Sequence, residues 1–375
     1  MSGLYLAADD LTGALDSAVA FSKRFGPIPV FLDVPRQSGV EHAAINLGTR
    51  DSSPEIAARK SASVLQQLTE AAIPFKKIDS LLRGNWALEL AELLREGGFR
   101  TCIFAPAFPG QGRITRNGRQ YLRAADHTER LLELDPVAEM VRRGLRVART
   151  APGDEPAPAD SGSKQAQVLI ADAQSDEELR TVARWGVHQD GPVLWCGSGG
   201  LARALSRSEP NRLACVPRPV LAIVGSNHTV SRAQIDYDNT RAPQRRVIAG
   251  DDHQNTANAV ARAFDTSGSA LLTFSLPGGI AAPDAAQQIG LRLAGLLPLV
   301  PLPKTLVIAG GETVVSVCRA LGATRLDVDA QFAAGVPRSR MADGNWSGIE
   351  IFSKSGAFGD ATLLHRILEA GSGEN

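Results

Sequence analysis

The sequence predicts an α/β protein of two domains, each a mostly parallel sheet flanked by helices, and three observations carry that reading. Short apolar runs alternate with segments of helical period along the whole chain, which is the pattern of strand–helix–strand crossovers. The 375 residues exceed the roughly 250–300 at which a single core stops growing. With 43% hydrophobic and 21% charged residues, the chain has the make-up of an ordinary globular protein, able to bury two cores.

Taken in order, Leu4–Ala8 reads as a strand, and Leu11, Leu15, Ala18 and Phe25 recur behind it at helical spacing. Val30–Asp33, Ala44–Leu47, Phe75–Ile78 and Thr101–Ala105 are the next strands. Helices are expected over Pro54–Ala72 and Trp86–Arg95, the second closed by Gly97 and Gly98, which suit a left-handed cap. Asn117-Gly118, between Ile114-Thr115 and Gln120–Leu122, signals a hairpin. Thr150–Gln167 is rich in Pro, Ala, Gly, Ser and Asp and has no period, so a long surface loop is expected there. Val168–Ala171 and Val193–Cys196 complete the first unit. Composition breaks again at Ser208–Pro219, just before the strand Val220–Val224, and this places the boundary near residue 215: domains of 1–215 and 216–375. Strands near Arg246–Ile248, Ala270–Phe274, Thr305–Ala309 and Ile349–Ser353 repeat the alternation in the second.

Forty Lys and Arg balance forty Asp and Glu, so no global field draws in nucleic acid or an acidic membrane surface. Cys102, Cys196, Cys215 and Cys318 are far apart with no CxxC spacing, as expected of buried apolar residues in a reducing compartment. The opening MSGLYLAADD lacks a basic start and a long apolar run, and no stretch approaches the ~20 apolar residues of a membrane span. A cytoplasmic protein acting on a small molecule is expected, with a homo-oligomer left open.

In an open parallel sheet, ligands lie at the carboxyl ends of the strands, so polar residues directly after apolar runs are the places to look. In LYLAADDLTGALD, Asp9 and Asp10 end a strand and Thr12-Gly13 open a helix. Adjacent carboxylates there can hold a metal or accept a proton from a hydroxyl, and free helix N–H groups can bind an anion; the plain alternative is that one Asp caps the helix. FKKIDSLLRGNWALEL gathers Lys77, Asp79, Ser80, Arg83, Gly84 and Asn85 between a strand and a helix. A guanidinium grips a carboxylate through two parallel hydrogen bonds while Asp, Ser and Asn read hydroxyls, which together describe a polyhydroxy-acid pocket. Arg113, Arg116 and Arg119 follow in the hairpin segment, where the last two are better explained as its solvated face. In the second unit Gly310-Gly311-Glu312-Thr313 lies between a strand and a helix, and Lys354-Ser355-Gly356, Gly359 and Asp360 form another glycine-bearing turn. Paired glycines let a backbone approach a phosphate at a helix N-terminus, and two such turns suggest a nucleotide cradle.

No GxxxxGK[ST] loop, HExxH or GxSxG is present, which disfavours P-loop, zinc and serine-hydrolase chemistry. Gly197–Ala202 fits G-x-G-x-x-A and opens an alternative, an NAD(P)-dependent oxidoreductase, but the following strand ends in Gly225-Ser226 with no acid for a ribose.

The motifs ADDLTGALD (Ala8–Asp16), KKIDSLLRGN (Lys76–Asn85), APAFPGQGRITRNGRQYL (Ala105–Leu122), GSGGLARAL (Gly197–Leu205), VGSN (Val224–Asn227), AGGET (Ala309–Thr313), GVP (Gly335–Pro337) and KSGAFGD (Lys354–Asp360) resemble, in this order, those of the four-carbon acid sugar kinases. That family was first catalogued as a domain of unknown function and also as type III effector Hrp-dependent proteins. The resemblance runs from Leu6 to about Leu368. It implies a sugar-acid domain, a nucleotide domain and an active site in the cleft between them that closes over both ligands. It further implies that Asp9 or Asp10, Arg50, Asp79, Ser80 and Arg83 surround the sugar acid, beside Lys77 and Asn85 of the same segment. ATP would be held by Ser226, Gly310, Gly311, Glu312, Thr313 and Gly356, next to Gly359. Magnesium is expected on the ATP phosphates, with no protein ligand assigned. Arg83 is expected to clamp the substrate carboxylate, and one of Asp9, Asp10 or Asp79 to take the hydroxyl proton. Threonate, erythronate, a 3-oxo-tetronate and a branched 3-oxo-isoapionate are the implied substrates, and a non-catalytic binding or effector relative is a further alternative. Leu81 stands where the family often has Thr, and Ala357 where Gly or Asn is common.

Overall fold

The computed structural model describes residues 2–35, 40–124, 126–150, 165–277 and 279–371, and most of the loop expected over Thr150–Gln167 lies outside them. The chain forms two compact units, Met1–Glu209 and Pro210–Asn375.

The first unit runs β1 (Ser2–Ala8), α1 (Leu11–Phe25), β2 (Ile28–Phe31), β3 (Ala43–Asn46), α2 (Pro54–Ala62), α3 (Leu65–Glu70), β4 (Ala71–Lys77), α4 (Trp86–Glu96) and β5 (Thr101–Ala105). It continues with β6 (Arg113–Arg116), β7 (Arg119–Arg123), β8 (Glu129–Leu131), α5 (Pro136–Arg142), β9 (Arg146–Thr150), β10 (Gln167–Ala171), α6 (Asp176–Gly186), β11 (Val193–Gly197) and α7 (Gly199–Ser206). Its main sheet has the order β2-β3-β1-β4-β11-β5-β10-β9, with parallel neighbours. Every residue of β3 and β5 is buried, as expected for parallel strands covered on both faces. Helices α1, α7 and α6 pack in one layer and α2, α4 and α5 in the other. In the second layer Trp86 and Leu90 of α4 join Ile45, Ile78, Leu82 and Phe104 in one buried cluster.

Where a single helix is expected over Pro54–Ala72, the chain forms two and then a strand. The Ser63 hydroxyl bonds the Lys60 carbonyl, and Val64 departs from helical geometry at φ −106°. Pro74 then biases Ile73 to extended backbone, so β4 begins at Ala71. The expected hairpin forms as β6–β7, with Asn117 and Gly118 at φ 53° and 70°, the paired left-handed conformations of a tight two-residue turn.

The second unit runs β12 (Asn211–Arg212), β13 (Val220–Val224), α8 (Thr229–Arg241), β14 (Arg246–Ala249), α9 (His253–Ser267), β15 (Ser269–Phe274), α10 (Ala282–Leu296) and β16 (Thr305–Ala309). It ends with α11 (Gly311–Ala320), β17 (Arg325–Ala333), β18 (Val336–Met341), β19 (Glu350–Lys354) and α12 (Leu363–Glu369). Its strand order is β14-β15-β13-β16-β19-β18-β17, parallel through β19 and antiparallel beyond, with β12 on β17. Helices α9, α10 and α11 pack in one layer and α8 and α12 in the other. Cys102, Cys196 and Cys318 are free and buried as expected, whereas Cys215 is exposed in the connection into β13, where no core reaches it. Among the described residues no helix is long and apolar enough to cross a membrane.

Candidate active site

Each unit has a point where neighbouring strands send their chains to opposite layers, and a crevice opens there beyond the carboxyl ends. In the first unit β1 leads into α1 on one layer while its neighbours β3 and β4 lead into α2 and α4 on the other. The register aligns Ala8 with Asn46 and with Lys77, so the residues following all three strands arrive at one level.

Asp9 and Asp10 follow β1. Asp9 is 2% exposed, and Asp10 caps α1 by accepting from the Gly13 N–H at 3.0 Å and the Thr12 hydroxyl at 2.6 Å. Arg50 reaches both: its Nε and Nη2 meet the two Asp9 oxygens at 3.0 and 2.8 Å, and Nη2 meets Asp10 at 2.6 Å. The loop carrying Arg50 is held in place by backbone bonds from Thr49 and Arg50 to the Asp9 carbonyl and by Asn85, whose amide donates to the Thr49 and Ser52 carbonyls at 2.9 Å. Gly84 lets that loop approach, since a Cβ there would lie 2.6 Å from the Arg50 carbonyl oxygen.

The two lysines of β4 part company by strand alternation. Lys76 is buried in an ion pair with Glu89, and Lys77 lies by the crevice, its ammonium 2.6 Å from where a Cβ of Gly13 would sit. Arg83 forks onto Asp79 through Nε at 2.5 Å and Nη2 at 3.1 Å, with its side chain 61% exposed. Leu82 between them is buried at φ 58°, a conformation costing a branched residue about 1–2 kcal/mol, held by bonds from its N–H to the Asp79 carbonyl and from the Trp86 indole to its own carbonyl. The Ser80 carbonyl accepts from Gln120 of the hairpin at 2.9 Å, which ties β6–β7 to this loop.

Burial pushes the Asp9 carboxyl up despite Arg50 and Lys77. For Asp10 and Asp79 burial acts in the same sense but is outweighed, by Arg50, Lys77 and two hydrogen bonds at Asp10 and by Arg83, Arg50 and Lys77 at Asp79, so both are held below the ordinary carboxylate value.

In the second unit the corresponding crevice lies between β13, which leads into α8, and β16, which leads into α11 on the opposite layer. Gly225-Ser226 ends the first strand and Gly310-Gly311 the second. Gly310 has φ 112°, open to glycine alone, and α11 has no side-chain cap hydrogen bond. Thr313 folds back over this turn, its hydroxyl 2.4 Å from where a Cβ of Gly225 would be. Glu312 is exposed in the same first turn. The turn after β19 arrives beside it: a Cβ on Gly356 would fall 2.0 Å from the Ser226 hydroxyl. Ser231 and Gln234 of α8 hold that turn through the Gly356, Phe358 and Asp360 carbonyls. Gly359, at φ 90°, packs instead against Leu363 of α12.

The structure thus groups Asp9, Asp10, Arg50, Lys77, Asp79, Ser80 and Arg83 in one crevice, and Ser226, Gly310, Gly311, Glu312, Thr313 and Gly356 in another. Asn85 and Gly359 serve the loops rather than the crevices. Arg116 pairs with Glu129 and Arg119 with Asp135, in keeping with a solvated hairpin face. The charges of Asp79 and Arg83 act on Arg113 in opposite senses. The turn Gly197–Ala202 is closed to a dinucleotide: Cβ atoms on Gly197 and Gly200 would lie 2.3 and 2.6 Å from the Ala105 and Ala107 carbonyl oxygens, and the Ser198 hydroxyl is buried on Ala107.

Residues 4–205 match a family model described as a sugar-binding N-terminal domain, and residues 221–364 one described as a nucleotide-binding C-terminal domain. The chain is similar to the D-threonate kinase of Cupriavidus necator, 30% identical across 96% of each chain. It is also similar to the D-threonate kinase of Bordetella bronchiseptica, 29% identical across 99% of this chain and 98% of that one. A solved Salmonella typhimurium LT2 protein shares the fold with a TM-score of 0.74 at 21% identity, covering 99% of this chain and 100% of that one.

Proposed function

Since the chain belongs to the four-carbon acid sugar kinase family, we propose that it is an ATP-dependent kinase that phosphorylates a hydroxyl of a four-carbon sugar acid of the threonate kind. The observation that carries this reading is the grouping of Asp9, Asp10, Arg50, Lys77, Asp79 and Arg83 in the switch-point crevice of the unit matched as sugar-binding. Fixed carboxylates accept from hydroxyls and the cationic side chains donate to a carboxylate, so the set fits a polyhydroxy acid.

Phosphoryl transfer asks for alignment and charge neutralisation more than covalent chemistry. Asp10 is the proposed proton acceptor for the attacking hydroxyl. Its side chain is 19% exposed, against 2% for Asp9 and 10% for Asp79, so it is the one a substrate reaches. Arg50 and Thr12 fix its orientation, and Arg83 turns its exposed edge toward the acid function. Ser226, Gly310, Gly311, Glu312, Thr313 and Gly356 are the proposed ATP residues: the uncapped start of α11 supplies N–H groups suited to phosphate oxygens, and the glycines keep side chains out of their way. Magnesium neutralises phosphate charge when bound. Among the described residues no group of three His, Cys, Asp or Glu gathers to hold a metal, which fits an ion carried in on the phosphates.

An ADP-release assay with Mg-ATP against C3 to C6 sugar acids and their 3-oxo forms tests the reading, with Arg83→Ala as control. Release with one acid, lost in the control, is the expected result. ATP binding without release for any acid would overturn it in favour of a relative that binds without turnover.

A further inference from the structure

Three carboxylates and four cations meet at the first crevice: Asp9, Asp10 and Asp79 against Arg50, Lys77, Arg83 and Arg113. Asp51, next to Arg50 in the chain, is exposed. The sum is one positive charge in excess. Arg50 is spent on Asp9 and Asp10, Arg83 on Asp79, and the charge of Lys77 acts on all three carboxylates.

Arg113 is left over. It forms no ion pair among the described residues, one terminal nitrogen donates to the backbone carbonyl of Gln111, and its Nε is buried without an acceptor. The charges nearest to it oppose one another, Asp79 attracting and Arg83 repelling, while burial disfavours its charged form. Nor is it a loose surface arginine: its backbone exchanges bonds with Phe108 at 2.8 and 3.1 Å, and Gln120 of the same hairpin is fastened to Ser80 and Pro106. A guanidinium held at a crevice, partly desolvated and short of one negative charge is complementary to a monoanion.

We infer that Arg113 is the residue that reads the acid function of the substrate, taking its carboxylate together with the exposed edge of Arg83 and leaving the hydroxyls to Asp10. This rests on the sugar-acid kinase reading and names the residue that makes the site select an acid over a neutral sugar. The carboxylate brings the crevice to neutrality and satisfies the guanidinium that the fold leaves short of partners.

The test compares the preferred acid with its carboxamide in wild type, Arg113→Gln and Arg113→Lys. Wild type should prefer the acid. Arg113→Gln should raise KM for the acid roughly 10- to 100-fold, the loss expected for a charged hydrogen bond in a partly dry site. It should leave KM for ATP and the inhibition constant of the carboxamide within about threefold, and Arg113→Lys should recover part of the loss; a general structural defect would move all three. Acid and amide weakened alike, or KM for the acid moved less than threefold, overturns the inference. So does a wild type that binds both equally, a readout needing no variant to fold. If wild type releases no ADP with any acid, the kinase reading fails by itself, and the same acid-to-amide comparison is made by calorimetric binding.

Discussion

The two crevices are built by opposite means. In the first unit the proposed site is made of charged side chains and glycines make room for them: Gly13 clears space for Asp10 and Lys77, and Gly84 admits the backbone of Arg50. In the second, the proposed site is made of backbone turns and side chains hold them in shape, Thr313 over Gly225 and Gly310, Ser231 and Gln234 on the turn that bears Gly356. The difference follows from the ligands. A small hydroxy acid offers few groups and needs directional partners, whereas phosphate oxygens are met by any row of N–H groups at a helix start. The first crevice should therefore fail when a charge is removed, and the second when a methyl group is added.

The largest effect is expected from removing the charge of Asp10. Asparagine caps a helix about as well as aspartate, so Asp10→Asn keeps the bond to Gly13 and isolates the carboxylate. Turnover should fall about 10²-fold or more, as for loss of a positioned base, while the melting temperature falls modestly because Arg50 keeps Asp9 but loses the Asp10 charge. A loss within about threefold would take Asp10 out of that role.

Next in size is an exception within the second unit. Lys354, 2% exposed, has among the described residues only the Ser355 carbonyl at 2.9 Å for a partner, and burial pushes its proton affinity down to about 8. An unfolded lysine titrates near 10.4, so between the two values the unfolded chain binds more protons and stability rises with pH. Relative to Lys354→Met, wild type should gain about 2–3 kcal/mol from pH 8 to 10.5 in denaturant titrations. Parallel curves would mean that the buried ammonium is compensated, as Arg50 is in the first unit.

A smaller effect, about tenfold in KM for ATP, is expected of Gly356→Ala. Its φ is ordinary, so space alone demands glycine: the new Cβ would stand 2.0 Å from the Ser226 hydroxyl and 2.6 Å from its Cβ. Adding Ser226→Gly should recover the steric part of the loss, so that the double variant is less impaired than the two single losses sum to, a coupling that a double-mutant cycle reads directly. Without that recovery the two turns do not share one cradle.

What could be read in the sequence divides along the same line. Asp9-Asp10 and Lys77–Asp79 were legible because a polar cluster directly follows an apolar run, and Gly310-Gly311 because paired glycines open a helix. Arg50 had no such signal. It stands beyond Gly48 and Thr49 and is brought in by backbone bonds to Asp9, so only the family resemblance pointed to it. The pair β17–β18 went unread since Arg325, Asp327 and Asp329 alternate with the buried Leu326, Val328 and Ala330, and a half-buried strand of that kind shows no apolar run. Burial of Lys354 is invisible for a related reason: the neighbours that dry it come from other strands.

The smallest expected effect tests the sharpest distinction, between two arginines three residues apart in one hairpin. Arg116 is paired with Glu129 at 3.0 Å and stacked over the Tyr121 ring at 4.5 Å, with its side chain 39% exposed. Such surface pairs contribute little, because water and side-chain entropy offset the attraction. Arg116→Gln should therefore leave KM for the acid within about twofold of wild type, in the same assay in which Arg113→Gln raises it at least tenfold. Equal losses at the two positions would show that the hairpin acts through its overall positive charge, and the contrast between a crevice read by individual side chains and one read by backbone would weaken accordingly.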